Sequence, residues 1–290
     1  MPEAEDVLLH AAEQVTAVVR GLWLRHRPSA ELPGIALVEA SRRLSLVLQA
    51  CLGRIWPILP SDADPTPTWL AKRLRKLPPW AHGAHAPAYT DGCSLFLPRH
   101  LQAWGDAVKD EELLRLIALV LAARLARGSV QHCPLEPVAR DLFWAIDGTI
   151  TEALLAAQLP GLAPTIAAVR RCTLASRPTP NALTPRERAV EQIIQHLLHA
   201  APGDVRGVGP AVPASLAWSD AVAARACHLA GHPPFHSASV YHGIAPVLHW
   251  GRPRPDLVGF LPPTGRLPED TGRPRPPARV QAVAASARGV

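Results

Sequence analysis

Four consecutive helical segments between residues 108 and 201 constrain the fold of this chain more than any other feature. In the first segment, 108–127, leucines and isoleucines recur every three or four positions, which is typical of a helix with one buried side. The next two segments span residues 136–158 and 163–176, and each ends close to a proline. Because the connections are so short, neighbouring helices must fold back on one another. The sequence therefore predicts an antiparallel helical stack.

The fourth segment has the clearest helix start in the chain. Thr184 stands at the N-cap position, Pro185 at the first helical position, and Glu187 completes a Thr-x-x-Glu capping box. We therefore expect a helix that begins at Pro185.

The remaining sequence is less regular but still favours helices. Apolar periodicity predicts further helices at residues 2–20, 36–52 and 215–230. Residues 57–67 and 205–213 are rich in proline or glycine and are predicted to be connections, whereas residues 240–250 are irregular and are predicted to be extended.

One segment has the character of β-structure. Residues 88–90 and 93–97 flank Asp91-Gly92, the dipeptide that favours a two-residue turn between antiparallel strands. The predicted fold is therefore mainly α, with one small β-hairpin near residues 88–98.

Residues 69–77 (WLAKRLRKL) form a short basic amphipathic segment. Such a segment can contact an acidic partner or an anionic membrane surface. The same pattern is typical of a helix that packs one side on the core and exposes its basic side to solvent. We favour that interpretation, because the segment is too short to anchor the chain.

The positive charge is concentrated at the carboxy-terminal end. Residues 251–290 contain seven arginines and three acidic residues, a net charge of +4 out of +6 for the chain. Their Pro/Arg/Gly composition predicts a flexible linker, residues 251–290, after a helical domain of residues 1–250. The helical domain is near neutral, which argues against nucleic-acid binding. A nucleic-acid-binding tail remains an alternative that predicts salt-dependent binding.

Cysteine usage and hydropathy indicate a cytoplasmic protein. The five cysteines are scattered, odd in number and never in Cys-x-x-Cys pairs, as expected of reduced thiols. The chain opens with acidic residues and has no signal-peptide pattern, and no apolar run reaches the roughly 18–20 residues that span a bilayer. No phosphate-binding, dinucleotide-binding or hydrolase motif occurs. We therefore expect neither an enzyme nor a cofactor.

Two segments resemble metal sites. Asp147-Gly148-Thr149-Ile150-Thr151 imitates the Asp-x-Ser-x-Ser metal loop of von Willebrand factor A domains, but its helical flanks favour a polar interruption of a helix. A second group, Cys227, His228, His232 and His236, has zinc-like spacing, although the sequence Gly-His-Pro-Pro breaks the helix at His232. A zinc-containing enzyme built on this group, with His242 and His249 as further ligands, is thus an alternative to the prediction of no metal. A looser collection contains His82, His85, Cys93, His100, His132 and Cys133.

Five segments, in this order, resemble the amino-terminal region of the CbbO/NorD family: residues 90–98 (TDGCSLFLP), 139–144 (ARDLFW), 159–162 (LPGL), 183–191 (LTPRERAVE) and 247–251 (VLHWG). Family members have a helical amino-terminal region, a linker and a carboxy-terminal von Willebrand factor A domain, and they are adaptors of MoxR-type AAA+ ATPases. The CbbO branch works with CbbQ in carbon fixation, as a Rubisco activase that removes inhibitory sugar phosphates from Rubisco. The NorD branch is tied to maturation of nitric oxide reductase.

The resemblance implies a non-catalytic adaptor region that docks on a CbbQ-type hexamer. Rubisco would be engaged through the von Willebrand factor A domain, which the 290 residues do not include. The alternative within the family is a NorD-type adaptor. No metal ligand of the family can be transferred to this sequence, because the positions that hold it lie in that domain.

Overall fold

The structure is a computed structural model that describes residues 34–61, 86–206, 208, 218–236 and 238–258. This part of the chain is mainly helical with small sheets, which confirms the predicted fold class. The predicted helix 2–20, the basic segment 69–77 and residues 259–290 of the predicted linker lie outside the described residues, as do His82 and His85.

Helix α1 (Leu37–Leu52) follows the predicted bounds closely. Its buried residues Leu37, Ala40, Leu44 and Leu48 recur at helical spacing and face the core. The helix ends where Gly53 adopts a left-handed conformation with φ of +67° and donates its backbone N–H to Gln49.

The four predicted helices of the central region are present: α2 (Ala107–Arg127), α3 (Pro137–Gln158), α4 (Ala163–Ala175) and α5 (Pro185–His199). Acidic or hydroxyl caps begin three of them. Asp106 accepts from backbone N–H groups of α2 and Glu136 accepts from one of α3. The capping box at Thr184 is confirmed, since its hydroxyl accepts from the N–H of Glu187 and its own N–H donates to the Glu187 carboxylate.

Helix α3 is the centre of the fold. It contacts α2, α4, α5 and the later helix α6 (Trp218–Ala230). Nearly all its residues from Asp141 to Glu152 are buried on every side of the helix, which is the pattern of a helix inside a core. Polar side chains in this stretch therefore need partners from surrounding elements.

Two small sheets flank the helices. Strand β1 (Ile35–Ala36) pairs antiparallel with β5 (His100–Leu101). Strand β4 (Leu95–Pro98) lies between β2 (Ile58–Ser61), to which it is parallel, and β3 (Tyr89–Thr90), to which it is antiparallel. The hairpin near residues 88–98 is thus confirmed, and β2 extends it within a region predicted to be a connection.

The hairpin turn is longer than predicted. Thr90 pairs with Leu95, so four residues connect the strands instead of the two expected from Asp91-Gly92. The carboxylate of Asp91 accepts from the backbone N–H groups of Cys93 and Ser94, at 2.8 and 2.7 Å, and this local bonding stabilises the wider turn.

The first part of the predicted linker is packed against the fold. The backbone N–H of Arg252 donates to the carbonyl of Ala88 over 2.7 Å, and a short helix, α7 (Pro255–Val258), follows. Residues 251–258 therefore continue the helical domain beyond residue 250.

Candidate functional site

A segment without regular secondary structure lies along the helices and ends in a single 3-10 turn, Leu248–Trp250. We call residues 238–251 the strap. The strap belongs to neither sheet, so its position depends on side-chain contacts with the helices. Carboxylates of α3 and α5 provide some of these contacts, and Arg124, Trp144 and Arg177 provide others.

Two carboxylates bind the first half of the strap. The Tyr241 hydroxyl donates to Asp141 of α3 over 2.8 Å. His242 donates its backbone N–H to Oε1 of Glu187 over 3.1 Å, and its ring nitrogen Nδ1 lies 2.9 Å from the same oxygen. The capping box of α5 thus also holds the strap.

Burial and these contacts shift the pKa values of Asp141, Tyr241 and Glu187. Burial raises the pKa of Asp141, against the opposing effects of Arg140 and Tyr241. Burial and the Asp141 charge together raise the pKa of Tyr241. Burial would also raise the pKa of Glu187, but hydrogen bonds from the Thr184 backbone and from His242 outweigh it, so this pKa lies below its ordinary value.

A buried ion pair holds the middle of the strap. Arg177 and Glu191 form the pair, and each side chain is 3% exposed. Nη1 of the same guanidinium donates to the strap carbonyls of Ala245, at 2.9 Å, and Pro246, at 3.4 Å. One arginine thereby connects α5 to the strap backbone.

Glu152 of α3 binds the end of the strap. One of its carboxylate oxygens lies 2.8 Å from the indole nitrogen of Trp250 and 2.7 Å from Nε2 of His249, while the other accepts from Arg170. Nδ1 of His249 lies 3.5 Å from the Thr173 hydroxyl. Burial would raise the pKa of Glu152, but His249, Arg170 and Trp250 together lower it.

Arg124 of α2 binds both the strap and α3. Its Nε lies 2.8 Å from the Asp147 carboxylate, and its terminal nitrogens donate to the carbonyls of Trp250, at 2.9 Å, and Trp144, at 2.8 Å. The guanidinium carbon is 3.8 Å from the centroid of the Trp144 ring. Burial lowers the pKa of Arg124 to about 10, opposed by Asp147, so the side chain stays charged at neutral pH. Arg127 gives Asp147 a second cation at 3.2 Å.

Gly148 provides the space into which the strap packs. A Cβ atom at this position would lie 2.7 Å from Cδ2 of Trp250 and 2.9 Å from Nη2 of Arg124. Only glycine lets the indole ring pack directly on the backbone of α3.

The charges of this network nearly balance. Arg124, Arg127 and Arg170 face the carboxylates of Asp147 and Glu152. The excess cation is offset because Arg170 donates to carbonyl groups at the end of α5, where the helix dipole is negative. Apart from Arg127, at 14%, these side chains are at most 5% exposed. The arrangement can therefore fix a segment of chain.

Residues 147–151 are a polar stretch within the predicted helix 136–158, and they do not break it. These residues lie inside α3, which is continuous. Asp147 and Thr151 bond to Arg127, and Thr149 lies 3.3 Å from Arg170. The pattern resembles a metal loop because carboxylate and hydroxyl oxygens can bind a metal ion, but here these oxygens contact guanidinium groups.

The zinc-like group lies at the end of α6. Cys227, His228, His232 and His236 are all exposed, and the rings of His228 and His232 are 4.5 Å apart. His242 and His249 are held elsewhere, by Glu187 and Glu152. Within the described ranges, no three His, Cys, Asp or Glu side chains are grouped so as to hold a metal ion.

The looser collection of histidines and cysteines is also dispersed. His132 pairs with Asp220 of α6, and Cys133 is half-buried beside it in sequence. Cys93 and His100 lie in the hairpin turn and in β5. These residues do not form a common site in the part of the chain that the structure describes.

Sequence reasoning missed the buried network, although α3 carries a signal for it. Asp141, Gly148 and Glu152 recur at helical spacing, together with Asp147, inside an otherwise apolar helix. A stripe of acidic residues and a glycine on a buried helix indicates cationic partners and a close neighbour.

The chain matches no protein-family model, and no curated protein or solved structure is significantly similar to it. The likeness to the CbbO/NorD family therefore rests on the five segments. Among the described residues, no helix has the length and apolar character needed to cross a bilayer.

Proposed function

We propose that this chain is a non-catalytic adaptor region that docks on a CbbQ-type MoxR AAA+ ATPase hexamer as part of a Rubisco activase in the cytoplasm. The resemblance of the five segments suggests the family. One structural observation supports it: three of these segments contain the residues that hold the strap against the helices. They are Asp141 and Trp144 in the second segment, Glu187 and Glu191 in the fourth, and His249, Trp250 and Gly251 in the fifth.

Nearly all of these residues are buried. A buried polar group must find its partner within the fold, so residues of this kind are closely tied to the architecture. Exposed residues are under no such constraint. A likeness at buried, hydrogen-bonded positions therefore favours a shared fold more than a likeness of the same length at the surface.

A rigid helical scaffold is also suited to docking. The charged groups of the strap network are engaged within the fold, and its helices are fixed to one another through α3. A preorganised surface loses little conformational entropy when it binds a partner. Under this proposal the ATPase performs the chemistry, and the von Willebrand factor A domain of complete members contacts Rubisco.

The test is a mixing experiment with a CbbQ-type hexamer. The purified chain and the hexamer are combined without nucleotide, with ADP and with a slowly hydrolysed ATP analogue, and the complexes are sized by light scattering during chromatography. We expect co-elution in at least one nucleotide state. Separate elution in all three would refute the proposal, and preferential co-elution with the ATPase partner of the NorD branch would assign the chain to that branch instead.

A further inference from the structure

A groove of about 420 Å³ lies between the end of α3, the start of α4 and the end of α5. Its lining consists mainly of small side chains with Leu198 at the base: Ala153, Ala156, Ala163, Ala167, Ala200 and Pro202. Arg171 and His199, both exposed, stand at its edge. Alanine walls let the backbone of another chain approach closely.

The floor of the groove is fixed before anything binds. Arg170 also lines the groove; it is paired with Glu152 and donates to the carbonyls of Leu198, at 3.3 Å, and Ala200, at 2.8 Å. These bonds satisfy the carbonyl groups at the end of α5. An occupant therefore meets an apolar, preformed surface and has no internal hydrogen bond to break.

Among the described residues, no carboxylate lines the groove. From Ala153 to Arg186 the sequence contains no aspartate or glutamate. Glu152 and Glu191, which border this stretch and α5, are buried in ion pairs, and Asp204 is paired with Arg206.

The free cation at the groove is Arg171. Within the described residues its guanidinium has neither a hydrogen bond nor an ion pair. The groove thus combines an apolar floor with one uncompensated positive charge.

We infer that this groove is the docking surface for the ATPase, and that it receives an acidic segment of the hexamer. That segment would insert an apolar side chain among the alanines and place a neighbouring carboxylate on Arg171. Charge complementarity selects this occupant, because a carboxylate placed beside Arg171 gains an ion pair, whereas a basic segment would meet no carboxylate among the described residues that line the groove. The inference rests on the proposed function and adds the surface to it.

The experiment measures the dissociation constant of the full chain for a CbbQ-type hexamer by titration calorimetry, in the nucleotide state that binds best. Arg171→Glu reverses the charge at the edge, and Ala167→Trp fills the groove. Both residues are exposed, so each variant should fold, which circular dichroism and thermal melting check. We expect each to weaken binding about tenfold or more, as loss of one interfacial charge pair or anchor does.

Two control variants match these changes away from the groove. Ala168→Trp places the same ring on the neighbouring exposed position of α4, and Arg42→Glu reverses an exposed charge on α1. Both should bind like wild type.

The outcomes separate the two proposals. If wild type binds and either groove variant stays within twofold of it, the groove is not the docking surface, while the adaptor function stands. If wild type itself does not bind, the adaptor function fails and the inference fails with it. Equal weakening by the control variants would also overturn the inference.

Discussion

Replacing Gly148 with alanine tests the strap network most directly. In an ordinary helix interior this change stabilises a protein by about 1 kcal/mol, because alanine has the higher helix propensity. Here the new Cβ would lie 2.7 Å from the ring of Trp250 and 2.9 Å from Arg124, and both side chains are fully buried and hydrogen-bonded. The sign of the effect should therefore reverse.

The magnitude follows from what must move. Overpacking a dense core costs about 1–3 kcal/mol. Shifting Trp250 also weakens its hydrogen bond to the Glu152 carboxylate, and bonds to charged groups contribute roughly 1.5–3 kcal/mol. After subtracting the helix-propensity gain, we expect Gly148→Ala to lower the free energy of unfolding by about 2–4 kcal/mol.

Urea denaturation followed by far-UV circular dichroism measures this loss as a lower midpoint at unchanged slope. Gly161→Ala is the matched control, because a Cβ there meets nothing within 4 Å, and its stability should stay within about 0.5 kcal/mol of wild type. A Gly148→Ala protein as stable as wild type, or more stable, would show that Trp250 does not pack on α3 as described.

Three further predictions concern ionisable groups. Glu152→Gln should lose about 3–5 kcal/mol at neutral pH, because it leaves the buried Arg170 guanidinium without its carboxylate partner. Since the folded-state pKa of Glu152 is lowered, this deficit should shrink as pH falls through that pKa, and a pH-independent deficit in urea titrations would contradict it. The folded-state pKa of Asp141 is raised, so its contribution to the free energy of unfolding is present below the unfolded pKa and is lost as pH rises through the folded-state pKa. The stability of Asp141→Asn relative to wild type should therefore improve as pH rises. A decline would argue against the burial of this carboxylate. Burial raises the pKa of Cys133 to about 12, so iodoacetamide should label exposed Cys172 and Cys227 at least about tenfold faster in the native chain, as read by peptide mass spectrometry; equal rates would place Cys133 at the surface.

The helices could be predicted because their signals are local. The capping box at Thr184 and the glycine after α1 lie within one turn of the boundary that they set. Helix α6 ends at Ala230, as predicted, whereas residues 215–217 of its predicted range lie outside the described residues.

The strap could not be predicted because its partners are distant in sequence. Tyr241 bonds to Asp141 one hundred residues earlier, and the carbonyl of Trp250 accepts from Arg124 across 126 residues. Periodicity reports which side of a helix is buried, but it does not identify the partner. The same limit applies to residues 147–151, because their partners are arginines of α2 and α4 that the local sequence does not identify.

The attachment of the strap has a mechanical consequence. Chain that continues past Val258 starts from a segment tied to α2, α3 and α5 by buried charges. A force applied to that continuation would therefore be transmitted to helices α2, α3 and α5 through the strap contacts. Under the proposed function, a motor that holds the helices would therefore transmit its pull to residues after the strap.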